Sequence, residues 1–329
     1  MENQPPKDQL VHHISSLVTK ANQRIQRYLR QTPVDYSYYL SHLTQNQVYL
    51  KLENFQLTGS FKIRGALNKI LSLGPKARQT KLITASSGNH GVAFAWCIRE
   101  FALNGEIYLP RTVPANKLEH LQFMEVPFKL VGDDCVVAEE KAKEQAQKNC
   151  HIYISPYNDW EIIAGQGTIG LELTRQLSSI DAVFVPVGGG GLISGIAGFL
   201  KNCFPSVKII GCQPENSAVM YHSLQAGSIL DLPSQPTISD GTAGGIEKEA
   251  LTFKICRALV DDFVLLKEEE IIAAIRLLLE QHYLLIEGAG ALSVAAFLKN
   301  KAQYRNQSII LVLSGARLSP GMLRKIYTT

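Results

Sequence analysis

Alternating strand-like and helix-like segments constrain the fold more than any other feature of this chain of 329 residues. Short apolar runs recur along the sequence, and helical apolar patterns lie between most of them. This alternation predicts parallel βαβ units, because two parallel strands need a crossover that a helix supplies. Ligands in such folds bind at the carboxyl ends of the strands, so we expect functional residues in the loops that follow them. The predicted strands are residues 48–52, 81–84, 106–109, 128–131, 152–155, 182–187, 208–212, 263–266 and 308–313.

Four consecutive glycines follow the predicted strand 182–187. They are Gly188, Gly189, Gly190 and Gly191, and apolar residues at helical spacing begin at Leu192. A strand, a glycine loop and a helix aim backbone N–H groups at an anion, and glycine permits the close approach that a Cβ would block. No lysine followed by serine or threonine comes next, so a nucleoside triphosphate with magnesium is not the expected ligand. The alternative interpretation is an ordinary flexible turn.

Lys62 lies just after the turn formed by residues 58–60 and near the start of an apolar helical pattern. Most lysines are solvated surface charges, and that alternative applies to Lys62 as well. An amine at a helix N-terminus and out of water, however, has its pKa lowered from about 10.4, which frees the lone pair for Schiff-base chemistry. The sequence therefore makes Lys62 a candidate amine nucleophile.

A second loop of small polar residues follows the predicted strand 81–84. It contains Ser86, Ser87, Gly88, Asn89 and His90, and a helical pattern comes next. Hydroxyls, an amide and glycine at a strand-to-helix turn form an anion cradle whose size suits a carboxylate. The His90 side chain is typical of a packed core histidine, and we assign no chemistry to it.

In order and spacing, these segments resemble those of the fold type II pyridoxal-phosphate enzymes. The resemblance also includes residues 164–168 and the pair Ser314 and Gly315, and it extends from about residue 32 to the C-terminus. Within that family the chain is most similar to the threonine/serine dehydratase and serine racemase branch. The resemblance implies an α/β fold of the tryptophan synthase beta type, with two open, twisted, mostly parallel sheets and flanking helices. It also implies a large cofactor-binding domain of residues 1–73 and 159–329 and a small mobile domain of residues 74–158.

The resemblance assigns roles to individual residues. Lys62 would carry pyridoxal phosphate as a Schiff base and later take the Cα proton of the substrate. Ser87 matches a hydroxyl that works on the opposite face of Cα in racemases, and Glu287 matches an acid near the active site in both branches. The implied cofactor contacts are Phe61 on the ring, Asn89 at the 3′-oxygen, Gly188, Gly189, Gly190, Gly191 and Leu192 at the phosphate, and Ser314 at the pyridine nitrogen. The implied substrate contacts are Ser86, Ser87, Gly88 and His90, mainly through backbone N–H groups to the carboxylate, and Gly241 at the border of the pocket.

The expected activity is that of a pyridoxal-phosphate-dependent lyase, a threonine/serine ammonia-lyase that forms a 2-oxo acid and ammonia. Because the Ser314 hydroxyl cannot protonate a pyridine nitrogen as a carboxylate partner can, the ring would be a weaker electron sink, which favours prompt loss of a β-leaving group. One alternative is a serine racemase or a β-elimination or replacement enzyme for another 3-substituted amino acid. A second alternative is a degenerate member that binds cofactor or amino acid without turnover.

The sequence departs from the family pattern at two places. The acidic pair that holds a divalent cation in racemases and several dehydratases is replaced by Gln213 and Val219, which are poor ligands for a hard cation. We therefore predict no metal requirement, unless Glu215 substitutes. The usual Gly-Gly-Asn that follows the serine near the C-terminus reads Gly-Ala-Arg and ends at Arg317, which puts the outer contacts to the ring in doubt.

Composition excludes several classes of protein. The net charge of +4 is small and its basic residues are dispersed, so nucleic acid is not an expected partner. No run of eighteen apolar residues exists and the first nine residues lack a signal-peptide pattern, so we expect a cytoplasmic protein without a membrane partner. The six cysteines show no CxxC spacing, and we expect most of them to be buried small hydrophobes. A homodimer is expected from the resemblance alone.

Overall fold

The computed structural model describes residues 6–113, 115–133 and 135–328. Helices and strands alternate along most of these residues, as the sequence predicts. The helices are α1 Lys7–Ile25, α2 Tyr38–Thr44, α3 Lys62–Ser72, α4 Lys76–Gln79, α5 Asn89–Glu100, α6 Ala115–Phe123, α7 Cys135–Lys148, α8 Trp160–Gln176, α9 Gly191–Cys203, α10 Val219–Ala226, α11 Leu251–Leu259, α12 Glu268–His282, α13 Gly288–Asn300 and α14 Pro320–Thr328. The strands are β1 Val34–Tyr36, β2 Gln47–Leu52, β3 Leu82–Ala85, β4 Gly105–Leu109, β5 Phe128–Leu130, β6 Ile152–Tyr153, β7 Ala182–Pro186, β8 Lys208–Pro214, β9 Asp262–Leu266 and β10 Ser308–Leu313. Short 3₁₀ turns span Glu53–Phe55, Glu215–Ser217, Asp240–Thr242 and Lys301–Gln303.

The strands form two sheets. The larger sheet has six strands in the order β1-β2-β10-β7-β8-β9, and every pair is parallel except the edge pair β1 and β2. The smaller sheet has four parallel strands in the order β5-β4-β3-β6. The predicted fold class is therefore confirmed. β1 is the one strand that the sequence patterns do not predict, because three residues are too few to establish a period.

The larger sheet is covered on both faces. Helices α1, α8 and α9 pack on one face, where Val183 and Val185 of β7 are buried, and α12 and α13 pack on the other, where Phe184 is buried. A strand with two buried faces has no polar side, which is why residues 182–187 read as a continuous apolar run. The carboxyl ends of β7 and β10, neighbours in the centre of this sheet, are thereby held at one edge of a rigid core.

A buried network of four charged side chains fixes α3 to the larger sheet. Arg64 donates to Glu53 over 2.8 Å and to Glu172 over 2.6 Å, and the Lys51 amine lies 2.6 Å from Glu172. Although burial acts to raise it, the pKa of Glu172 lies below its usual value, because Arg64 and Lys51 stabilise the carboxylate. The two positive and two negative charges compensate one another. Because Arg64 belongs to α3, its ion pairs also hold the start of this helix, including Lys62, against the larger sheet.

The cysteines correct one expectation. Cys97, Cys212 and Cys256 are buried, but the other three, Cys135, Cys150 and Cys203, are exposed, so the prediction that most are buried is wrong. Burial raises the pKa of all three buried thiols, which keeps them protonated. Among the described residues, no helix combines the length and the apolar character needed to span a membrane.

Candidate active site

A cavity of about 450 Å³ opens at the carboxyl ends of β7 and β10. Loops from both sheets contribute to it, since Gly188 follows β7 and Asn89 follows β3. The lining residues are Phe61, Lys62, Asn89, Tyr157, Pro186, Gly188, Gly189, Gly190, Gly191, Leu192, Gly241, Thr242, Glu287, Ala289 and Ser314.

Lys62 is the first residue of α3, and its amine lines the cavity. Nζ donates to the carbonyl oxygen of Pro156 over 3.0 Å and lies 5.2 Å from the centre of the Phe61 ring. Burial lowers the pKa of Lys62 to about 8, although Glu287 acts in the opposite direction. A minority of this amine is therefore neutral and nucleophilic near physiological pH, a far larger share than for an ordinary lysine.

The tetraglycine forms a wall of the cavity that a larger residue could not form. A Cβ on Gly189 would lie 2.4 Å from the Tyr157 ring, and a Cβ on Gly188 would lie 3.1 Å from the backbone of Thr242. Gly190 has a φ of +85°, a conformation that glycine adopts without strain. Because α9 begins at Gly191, the loop and the first turn of this helix bring backbone N–H groups and the positive end of the helix dipole to the cavity.

Glu287 and Asn89 form a hydrogen-bonded pair in the cavity wall. Asn89 Nδ2 donates to Glu287 Oε1 over 2.8 Å, and the backbone N–H of Arg317 donates to Glu287 Oε2 over 3.0 Å. Burial raises the pKa of Glu287, while the hydrogen bond from Asn89 acts to lower it. Asn89 Oδ1 is buried without a protein partner, so its acceptor capacity remains for a ligand.

Ser314 is placed beside the start of α3 by backbone contacts. Its carbonyl oxygen accepts from the Phe61 N–H over 3.1 Å, and Ser60 forms an isolated antiparallel bridge with Gly315. These contacts join the end of β10 to the residues that precede Lys62. Two residues separated by 252 positions in the chain therefore line one cavity.

The serine loop lies outside the cavity wall. Ser86, Ser87 and Gly88 are partly buried, and Ser86 Oγ accepts from the Gly88 N–H over 3.3 Å, but none of the three lines the cavity. The ring of His90 is buried, and its Nε2 lies 3.0 Å from Thr84 Oγ1. Burial and the Lys62 charge lower the pKa of His90 to about 3, so the ring is neutral.

Several lining residues were not identified from the sequence. Tyr157 follows β6, whose carboxyl end faces the same side as that of β3, so the rule that places ligands at strand ends contained a signal for it. Pro186 ends β7 and comes under the same rule, and Thr242 directly follows Gly241, which was predicted for the site. Ala289 carried no such signal, because alanine is common in every kind of segment. Of the residues predicted for the site, ten line the cavity with Lys62 and four lie outside its wall: Ser86, Ser87, Gly88 and His90.

Comparison with known proteins identifies the family. The family model for pyridoxal-phosphate dependent enzymes matches residues 25–315. The chain belongs to this family. It is 39% identical over 310 residues to an L-threonine ammonia-lyase of Thermotoga maritima, an alignment that covers 94% of this chain and 77% of that protein.

Solved structures give the same family and confirm the fold. The processed threonine deaminase isoform 2 from Solanum lycopersicum superposes with a TM-score of 0.92 at 32% identity, covering 100% of this chain and 90% of that one. Maize serine racemase superposes with a TM-score of 0.88 at 32% identity, covering 95% of this chain and 97% of that one.

The cavity fits pyridoxal phosphate, the cofactor of this family. The glycine wall leaves room for a phosphate where a Cβ would fill the space, and the Lys62 amine is available for a carbonyl. The unpartnered Asn89 Oδ1 and the Ser314 side chain supply further polar groups in the same cavity. Charge, shape and hydrogen-bonding capacity therefore agree with the cofactor.

The two residues that stand where the family's acidic cation ligands are expected, Gln213 and Val219, make other contacts. Gln213 Oε1 accepts from the Tyr221 N–H over 2.8 Å, and Val219 is buried at the start of α10. In the part of the chain that the structure describes, no group of three or more His, Cys, Asp or Glu side chains is placed to hold a metal ion.

Proposed function

We propose that this protein is a threonine/serine ammonia-lyase that converts L-threonine to 2-oxobutanoate and L-serine to pyruvate, with release of ammonia. The observation that carries the proposal is the Lys62 amine, whose pKa is lowered to about 8 at the wall of the cavity. The similarity to an L-threonine ammonia-lyase and to a threonine deaminase supports this choice of reaction.

The residues that would hold the cofactor surround Lys62. Phe61 would pack on the ring, Asn89 would contact the 3′-oxygen, and Ser314 would face the pyridine nitrogen. The phosphate would be bound by backbone N–H groups of Gly188, Gly189, Gly190, Gly191 and Leu192. The substrate carboxylate would be bound by Ser86, Ser87, Gly88 and His90, which must approach the cavity from the loop that precedes α5, and Gly241 would border the substrate.

Lys62 would hold and then move the proton that the reaction requires. When bound, pyridoxal phosphate supplies a carbonyl that condenses with amines and a conjugated ring that withdraws electrons from Cα. The Lys62 amine would take the proton from Cα, and the electron pair left at Cα would expel the β-hydroxyl. The proton now held by Lys62 would pass to the departing hydroxyl, which leaves as water. The resulting enamine would tautomerise and be hydrolysed to the 2-oxo acid and ammonia. His90 cannot supply a proton at neutral pH, because its pKa is lowered to about 3.

The charges of the cavity support a substrate with a neutral side chain. Lys62 is the one basic side chain among the described lining residues, and the Glu287 carboxyl lines the same cavity. A second carboxylate on the substrate would therefore lie near Glu287, while Lys62 would be engaged with the cofactor rather than free to compensate it. Threonine and serine avoid this repulsion.

Serine racemisation is the second candidate, supported by the similarity to maize serine racemase. It requires a second proton-transfer group on the face of Cα opposite Lys62, a role proposed for Ser87. Elimination is the better supported reaction, because the similarity to an L-threonine ammonia-lyase, at 39% identity, exceeds that to the racemase, at 32%.

Proton NMR in deuterated water tests the proposal. Cofactor-loaded protein is incubated with L-threonine and with L-serine, and the products and the chirality of the remaining serine are analysed. We expect 2-oxobutanoate and pyruvate, and we expect a Lys62→Ala protein to form neither. Deuterated or D-serine without oxo acid would establish the racemase instead, and unchanged substrates would refute both activities.

We also propose a small mobile domain and a cytoplasmic homodimer. The four strands of the smaller sheet all lie between residues 82 and 153, which supports a separate unit of residues 74–158 beside a large domain of residues 1–73 and 159–329.

A patch of exposed apolar side chains supports association of two copies into the homodimer. This tyrosine patch consists of Tyr36, Tyr38, Tyr39, Leu43, Tyr283 and Leu285.

A further inference from the structure

Tyr157 packs directly on the tetraglycine. A Cβ on Gly189 would lie 2.4 Å from Cγ of its ring, and a Cβ on Gly191 would lie 3.1 Å from its backbone. The preceding residue, Pro156, accepts the hydrogen bond from Lys62. Tyr157 therefore lies between the two ends of the cofactor site, and its ring supports the wall proposed to bind phosphate.

The Tyr157 hydroxyl has a second contact, to a different segment. It accepts from the backbone N–H of Glu247 over 2.9 Å. Residues 240–247 include Gly241 and Thr242, which line the cavity. The hydroxyl therefore attaches the far end of this segment to the wall of the cavity.

Neighbouring side chains strengthen this attachment. The Glu247 carboxylate accepts from Asn158 Nδ2 over 2.9 Å and lies 3.3 Å from Lys143 Nζ. Asn158 Oδ1 accepts from the N–H of Leu251, the first residue of α11, over 2.8 Å. Tyr157 and Asn158 thus bind two consecutive parts of residues 240–251.

The Tyr157 hydroxyl keeps its proton under physiological conditions. Burial raises its pKa well above the usual value, and the nearby Glu247 carboxylate acts in the same direction. Its hydrogen bond with Glu247 near neutral pH is therefore one between two uncharged groups, the backbone N–H and the hydroxyl oxygen.

We propose that Tyr157 is a positioning residue with two separable parts: the ring supports the tetraglycine, and the hydroxyl holds residues 240–247 at the cavity. That residues 240–247 border the bound substrate rests on the proposed function. If the Tyr157 ring only filled space, a phenylalanine at this position would work equally well. If the hydroxyl holds residues 240–247, phenylalanine would loosen that segment.

Two substitutions separate the parts. Tyr157→Phe removes the hydroxyl and keeps the ring, whereas Tyr157→Ala removes both. Tyr49→Phe is the matched control, because the partly buried Tyr49 does not line the cavity and its hydroxyl lies 3.4 Å from Gln47 Oε1. Each protein is loaded with pyridoxal phosphate and compared with the unchanged chain by cofactor titration, by KM and kcat for L-threonine, and by hydrogen exchange of residues 244–251.

For Tyr157→Phe we expect unchanged cofactor affinity and faster hydrogen exchange of residues 244–251. The KM for L-threonine should rise about two- to tenfold, because that is the effect of losing one hydrogen bond between neutral groups, and kcat should change less than twofold. Tyr157→Ala should in addition weaken cofactor binding by tenfold or more, and Tyr49→Phe should change none of these quantities.

Unchanged exchange and KM in Tyr157→Phe would overturn the role of the hydroxyl. Equal loss of cofactor in Tyr157→Phe and Tyr157→Ala would overturn the separate role of the ring. Hydrogen exchange and cofactor titration require no turnover. If the unchanged protein does not convert L-threonine, the proposed function fails while these two measurements still decide the role of Tyr157.

Discussion

At the residue scale, the chemistry of the site depends on the pKa of one amine. Lys62 lies at the start of a helix and donates one hydrogen bond, to Pro156, so burial is not offset by a close carboxylate contact. The charge of Glu287 reduces the shift of its pKa without cancelling it. The same lysine on a solvated helix face would be almost entirely protonated at neutral pH.

We predict that cofactor loading of the cofactor-free protein accelerates with pH and levels off above about pH 8, because only the neutral Lys62 amine attacks a carbonyl. An ordinary lysine would produce a rise that continues to about pH 10.4. Stopped-flow absorbance after mixing with pyridoxal phosphate at a series of pH values measures the midpoint. A rate that still rises in proportion to hydroxide beyond pH 9.5 would contradict the lowered pKa.

The same pKa predicts a stability effect. The folded pKa of Lys62 lies below the unfolded value, so between about pH 8 and pH 10.5 the unfolded chain binds more protons, and the free energy of unfolding rises with pH through this window. The expected gain is about 3 kcal/mol for the cofactor-free protein. Urea unfolding across this range measures it, with Lys62→Met as the control that should remove the gain.

At the scale of single elements, the glycine loop and the buried charge network require different kinds of residue. The loop needs residues without side chains because Tyr157 and Thr242 approach its backbone closely. The network needs charged side chains in a dry interior, which is stable only because Arg64 and Lys51 face Glu53 and Glu172.

We predict that Gly189→Ala reduces affinity for pyridoxal phosphate by at least tenfold, because the added Cβ would lie 2.4 Å from the Tyr157 ring and displace either the ring or the loop. Fluorescence titration with the cofactor measures the change. Gly245→Ala is the control, since no atom lies within 4 Å of its added Cβ. Equal affinities in the two variants would argue against the close packing of Tyr157 on the loop.

We predict that Arg64→Met lowers the free energy of unfolding by about 3–5 kcal/mol, because it leaves Glu53 and Glu172 buried with one cation between them. Urea denaturation of the cofactor-free proteins measures this loss. Arg305→Met, a change of the same chemistry at an exposed position, should have an effect below about 0.5 kcal/mol. A loss below 1 kcal/mol at Arg64 would mean that the network contributes little to stability.

At the scale of the whole molecule, polar contacts across the cavity side join residues 74–158 to the rest of the chain. Lys117 of α6 lies 2.8 Å from Asp240, and Arg317 Nη2 lies 3.0 Å from His120 Nε2. Both contacts are exposed, and exposed polar contacts contribute little to stability. They are thus suited to form and break if residues 74–158 move as proposed.

We predict that the protein is a dimer in solution and that the double change Tyr38→Asp and Tyr283→Asp makes it a monomer. These side chains are 81% and 87% exposed, and the hydrogen bond between Ser37 and His282, 3.2 Å long, joins the two parts of the tyrosine patch. Light scattering after size exclusion measures the mass. Phe123→Asp, at a residue 79% exposed on α6, is the control that should remain dimeric. A dimeric double variant would place the interface elsewhere, and a monomeric parent would refute the homodimer.

The sequence by itself determined the elements, the family and the cofactor. Periodicity is local, so it located nine of the ten strands that the described residues form, and the bounds of β10 match the structure. The motifs around Lys62, Asn89, the tetraglycine and Ser314 pointed to one cavity that the structure contains.

Only the tertiary structure decided which other residues join that cavity. Tyr157, Thr242 and the pairing of Asn89 with Glu287 depend on where distant segments meet, and the lowered pKa of Lys62 depends on burial by them. Cysteine burial was likewise misjudged, because three of the six cysteines lie on exposed positions that no spacing rule reveals. Contacts between segments that are far apart in the chain produce no periodic pattern in the sequence. Sequence patterns therefore cannot predict them, and only the tertiary structure shows them.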